Sequence, residues 1–160
     1  MDLKELEKKH IPFNNSVETG LRVLTILHQA FPKSFDLQKL VYLDYLNVHT
    51  GDFDNTKSSI HVAVPYRQGE IFVRNRIILK GIQLFISKGL IDIVYSPKGI
   101  EYKASESATP FLENLEEEYV NQLKSTSEWV CEMFAKKNNK QLKTLIRSEI
   151  SNTYNLELLK

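Results

Sequence analysis

One cysteine, Cys131, is the only thiol in this 160-residue chain. No intramolecular disulfide can therefore form and no cysteine-based zinc site can be assembled, which points to a reducing, cytoplasmic setting. Long apolar runs are missing too. No window approaches the roughly 20 apolar residues that span a bilayer, and the opening MDLKELEKKHIPF alternates charges where a signal peptide would be apolar. Neither sign of charge dominates: 21 Lys+Arg against 20 Asp+Glu leave a net charge of +1. That removes attraction of the whole molecule to nucleic acid or membrane and leaves only local patches. Glycine is sparse, with 6 residues. Gly69, Gly81, Gly89 and Gly99 stand too far apart to converge their amides on one phosphate, and no GxxxxGKS/T motif occurs, so no nucleotide cofactor is expected.

The chemistry-bearing residues are equally scattered. His10, His28, His49 and His61 fall on different elements without an HExxH spacing. His49 does cluster with Asp52 and Asp54, but turn chemistry accounts for that group and a metal needs a fuller ligand shell. No GxSxG elbow or Cys–His signature activates a nucleophile. Cys131, beside Trp129, Val130 and Met133, reads as a small buried hydrophobe. Glu113 and the run Glu116 to Glu118 read as the solvated face of a helix. No catalytic residue, cofactor or metal site is expected.

What is present is a pattern able to form a core, with 42% hydrophobic and 26% charged residues. Helical spacing runs through Val17, Leu21, Leu24 and His28, with Asn15 and Glu18 placed as a capping box and Pro32 beyond the end. A second helix follows Asp36 and stops before Gly51, and a polar loop at 51–59 leads to a short strand, IHVAV. A third helix follows Gly69 and ends at Gly89; LIDIVY and GIEYKAS, joined by SPKG, then read as a hairpin. Phe111, Leu112, Leu115, Tyr119, Leu123, Val130 and Phe134 predict one long helix from Glu106 to Phe134, and KQLKTLIRSEI a shorter one. Three helices and a wing predict a mainly α fold with a small β-hairpin. It comprises a polar lead (1–14), a winged-helix-like core (15–104), and a long helix with a helical C-terminal extension (105–160).

Two basic stretches stand out from the neutral whole. Arg67, Arg74, Arg76 and Lys80 against Glu70 give +4 − 1 = +3 over one segment, with Arg76 and Lys80 on one helical face. Such a face can grip double-stranded DNA, meet an acidic patch on a partner, or be ordinary surface charge. Lys136, Lys137, Lys140, Lys143 and Arg147 follow the long helix and read mainly as a solvated face. The long helix offers more apolar face than a small wing covers, so Phe111, Leu115, Tyr119, Leu123 and Trp129 are expected to meet a partner helix or a second copy.

In order, FDLQKLVYLDYLNVHTGD, PYRQGEIFVRNRIILKGIQLFISKGLI and GIEYKASESATPFLENLEEEYVNQLKSTSEWV resemble middle component 2 of the ABC-three-component systems. These are small proteins encoded beside an ABC or SMC-like ATPase and an effector, Lamassu-type antiphage defence among them. The resemblance runs from about Val17 to Trp129 and brings no catalytic residues with it. It implies a non-enzymatic accessory subunit in a hetero-oligomer, bridging the ATPase and a nuclease-type effector, near DNA. Arg67, Glu70 and Arg74 match the family's PYRxGExxVR stretch and are read as contact residues. A stand-alone winged-helix DNA-binding regulator is the alternative.

Overall fold

The computed structural model describes residues 15–50 and 67–158. The N-terminal lead, the loop at 51–59 and the IHVAV strand lie outside those residues. Six helices and one antiparallel hairpin are formed among them.

Helix α1 (Ser16–Gln29) starts where expected: Asn15 Oδ1 accepts from the Glu18 amide at 2.8 Å. Helix α2 (Leu37–Val48) is capped in the same way by Asp36, which accepts from the Lys39 amide at 2.7 Å. Neither is a surface helix with one apolar stripe. Leu21, Val23, Leu24, Ile26 and Leu27 of α1 are all at most 1% exposed, and α2 is buried from Leu40 to Val48. Apolar residues on every side mark helices enclosed by others.

Helix α3 (Arg67–Ser87) crosses α1 at a glycine pair. A Cβ on Gly20 would lie 2.4 Å from Phe85 and 2.8 Å from the Gly81 carbonyl oxygen, and one on Gly81 would lie 2.7 Å from the Gly20 nitrogen. The two backbones touch, and only glycine permits it. The C-terminus of α3 is a Schellman motif: Gly89, at φ +73°, donates to the Ile86 carbonyl, and Leu90 to that of Phe85, each at 3.0 Å. Leu90, buried, then leads into the wing.

Strands β1 (Ile91–Ser96) and β2 (Gly99–Ala104) pair from Ile91 opposite Ala104 to Ser96 opposite Gly99. The Pro97–Lys98 turn closes on Gly99, whose φ of +126° excludes most other residues. A third edge comes from the α1–α2 connection. Phe35 exchanges both backbone hydrogen bonds with Tyr102, at 2.9 and 2.8 Å. Helix, single-residue strand, two helices and hairpin give the winged-helix order, now including a strand residue that the sequence pattern did not mark.

The long helix expected from Glu106 to Phe134 is in fact two, α4 (Ala108–Glu113) and α5 (Glu118–Phe134). Acidic side chains from Glu116 to Glu118 favour the positive end of a helix over its interior, so they start α5 rather than continue α4. Lys124 holds the corner: its Nζ donates to the carbonyls of Leu112 at 2.8 Å and Leu115 at 3.3 Å. Helix α6 (Asn139–Leu158) runs through much of the tail that periodicity left unplaced. It opens on a reciprocal cap, the Gln141 amide donating to Asn138 Oδ1 at 2.8 Å and the Asn138 amide to Gln141 Oε1 at 2.9 Å. One apolar cluster joins the wing unit to these later helices, from Leu21 and Leu40 through Leu123 and Val130 to Leu142 and Ile150.

Candidate functional site

The densest polar group is inside the protein. Arg22 Nε donates to Asp44 Oδ1 at 2.9 Å and its Nη2 to Oδ2 at 3.3 Å; Arg74 Nη1 donates to Asp44 Oδ2 as well. Arg22 Nη1 reaches Glu18 Oε1 at 3.3 Å, and the Tyr119 hydroxyl donates to that same oxygen at 2.7 Å. Among the described side chains, two guanidiniums, two carboxylates and the Tyr119 hydroxyl thus join four helices, α1, α2, α3 and α5. Burial alone would raise the Asp44 carboxyl, but the charges and hydrogen bonds of Arg22 and Arg74 hold it at about 2. Burial would likewise lower Arg22, yet Asp44, first by charge and then by hydrogen bond, lifts it above its ordinary value. Tyr119 is raised by burial and by the Glu18 carboxylate. Asp44 is thus held as a carboxylate near neutrality, and the hydrogen bonds it accepts from Arg22 and Arg74 tie α1, α2 and α3 together.

Arg74, expected to contact a partner or DNA, is 3% exposed and turned into the protein. It falls on the inward stripe of α3 with Ile78, Ile82 and Phe85, and its charge is met by Asp44, 30 residues away in sequence. Arg76 and Lys80 do face solvent, in an outward stripe with Val73 and Gln83. Arg67 and Glu70 belong to the first turn of α3, and the contact role expected of them lies outside the described side chains.

The apolar face assigned to a partner helix is turned into the chain's own core. Leu123 is wholly buried; Phe111, Leu115, Tyr119 and Trp129 are half-buried and packed against the core. Phe111 meets Phe85 edge-on at 6.3 Å, and Trp129 meets Phe134 at 5.5 Å. The break after α4 makes this possible, because two shorter helices can fold back over α1 where one straight helix would overshoot.

Among the described residues the exposed large apolar side chains are Phe31, Val73 and Met133 on the helical body and Ile93, Tyr95 and Ile100 together on the wing. Ile91, Ile93 and Tyr95 share one face with their partners Ala104, Tyr102 and Ile100. At the root Ile91 and Ala104 are buried, but toward the tip Ile93, Ile100 and Tyr95 are 40%, 50% and 78% exposed. The hairpin outruns the body that covers it. The signal was in the sequence: apolar alternation continues up to the SPKG turn with no polar substitution on that face.

Cys131 is half-buried, its Sγ 3.5 Å from the Ile26 carbonyl oxygen, and burial pushes its thiol up to about 11 against a smaller opposing effect of Lys39. It stays protonated and unreactive. His49 is buried with its ring 4.6 Å from that of Tyr45. Asp52 and Asp54 lie outside the described residues. Among the described residues no group of three metal-ligating side chains gathers, and no helix is long and apolar enough to cross a membrane.

The sequence model of the ABC-three component (ABC-3C) system Middle Component 2 family matches residues 12–155. The chain belongs to that family. As a middle component 2 protein it is one part of a three-component system, whose other components are its implied partners. The match takes in the buried ion network, the wing and most of α6, and so reaches well past Trp129, where the motif resemblance ends. No curated protein and no solved structure matches this middle component.

Proposed function

We propose that this middle component is a non-catalytic adaptor that docks through its wing, bridging the SMC- or ABC-like ATPase and a nuclease-type effector of a Lamassu-type antiphage system. The observation that carries the reading is the contrast between core and wing. Arg22, Asp44 and Arg74 of the buried network hold helices together, whereas Ile93, Tyr95 and Ile100 stand exposed on the hairpin. Aromatic and aliphatic side chains on a projecting element are what protein interfaces use as anchors. Family membership supports partners drawn from the other components of a three-component system.

The test is co-purification of the three components after co-expression. The intact chain is expected to hold at least one of the other two, and Tyr95→Ser with Ile100→Ser to release it while unfolding at an unchanged temperature. A chain that stays unassociated in the presence of both would overturn the adaptor reading. The alternative, a stand-alone DNA-binding regulator reading duplex through α3, keeps only Arg76 and Lys80 as exposed cations in the described part of that helix.

A further inference from the structure

The second basic stretch forms a surface of a different kind from α3. Helix α6 buries Leu142, Ile146 and Ile150 at four-residue spacing and turns Lys140, Lys143 and Arg147 to solvent. Lys136 and Lys137 are exposed in the turn leading into it. The sequence holds five cations and no carboxylate from Lys136 to Arg147, in a chain whose net charge is +1. None of the five forms an ion pair among the described residues. Asp36, which approaches the start of α6, is engaged by the Asn139 side-chain amide, 3.2 Å from each carboxylate oxygen. A merely solvated face explains the exposure but leaves the concentration of unmatched charge without a cause, since like charges at three- and four-residue spacing destabilise their own helix.

The composition of the stripe selects among anionic partners. Four of its five cations are lysine, and its exposed neighbours Gln141, Thr144 and Ser148 are polar. Protein interfaces are depleted in lysine and centred on apolar anchors, which this stripe lacks. A helix lying on a membrane needs an exposed apolar face, and among the described side chains of α6 the apolar residues Leu142, Ile146 and Ile150 are spent in the core. Lysines without a planar fork act as point charges toward phosphate. From Lys140 to Arg147 they span about 10 Å at the helical rise, enough to follow a run of backbone phosphates. We propose that Lys136, Lys137, Lys140, Lys143 and Arg147 form a sequence-independent seat for the phosphate backbone of a nucleic-acid duplex. This site is separate from the wing and does not depend on the adaptor reading.

The test uses the full chain with labelled random-sequence duplexes of DNA and of RNA, equal in length, titrated by fluorescence anisotropy over a range of salt. Binding to at least one duplex at low salt is expected, and which one binds identifies the source of the phosphates. Lys140→Gln with Lys143→Gln and Arg147→Gln should weaken it at least about tenfold and lower the salt slope by about three. Lys140→Arg with Lys143→Arg should retain it. All three sites are exposed, so unchanged thermal unfolding checks the fold. Absence of duplex binding, a triple variant that binds like the parent, loss through Arg76→Gln with Lys80→Gln instead, or tighter binding to anionic phospholipid vesicles than to either duplex would each overturn the proposal.

Discussion

Asp44 carries two buried guanidiniums, so its removal is costly in a way that its removal from the surface would not be. Asp44→Asn leaves Arg22 and Arg74 charged in the core and is expected to destabilise the fold by about 3–5 kcal/mol in urea unfolding. The pH dependence has a definite sign. The folded carboxyl, at about 2, is depressed below its ordinary 3.8, so its contribution is full above about pH 4 and is lost as pH falls toward 2. About 2 kcal/mol of stability should disappear across that window in the parent and not in Asp44→Asn. Gly81→Ala tests the other tight contact: a Cβ 2.7 Å from the Gly20 nitrogen has no flexible neighbour to displace, and about 2 kcal/mol of overpacking should outweigh the gain in helix propensity of about 1 kcal/mol. Neither site was legible in the sequence. Arg74 reads as one more surface cation until Asp44 is placed beside it, and Gly81 reads as an ordinary helix interruption until α1 crosses it. Pairings across a fold leave no local pattern.

Elements were far more legible than contacts, because their ends are written in neighbouring residues. Asn15 and Asp36 cap as their positions indicate, and Gly89 and the Pro97–Lys98 turn close α3 and the hairpin. The break between α4 and α5 escaped because apolar spacing continues across it: Leu112, Leu115 and Tyr119 keep a helical period while the backbone turns at 114–117. What decides the matter is Lys124, which supplies donors to carbonyls that a continuous helix would have satisfied itself. Lys124→Met is therefore expected to cost about 1–2 kcal/mol. An exposed lysine such as Lys143, changed in the same way, should cost less than about 0.5 kcal/mol in the same urea titration.

At the scale of the whole molecule, the winged-helix order suggests a unit ending near Ala104 with a helical extension added to it, but the core is shared. Val120, Leu123, Val130, Phe134, Leu142 and Ile146 are buried in the same cluster as α1 and α2. At roughly 1.5–3 kcal/mol for each buried side chain, these six contribute on the order of 10 kcal/mol. That is comparable with the entire stability of a typical domain, about 5–15 kcal/mol. The extension also supplies Tyr119 to Glu18, and Ser127 to the buried Asn47 at 3.2 Å, so its loss would expose polar as well as apolar groups. A chain ending at residue 104 should accordingly show no cooperative thermal transition and should bind an exposed-hydrophobe dye. A sharp transition in that fragment would mean that the wing unit is self-sufficient and that α4 to α6 are an appendage. The first outcome makes the extension part of the scaffold that fixes the wing's direction, so a partner held at Tyr95 would be positioned relative to α6 by one rigid core rather than by a linker.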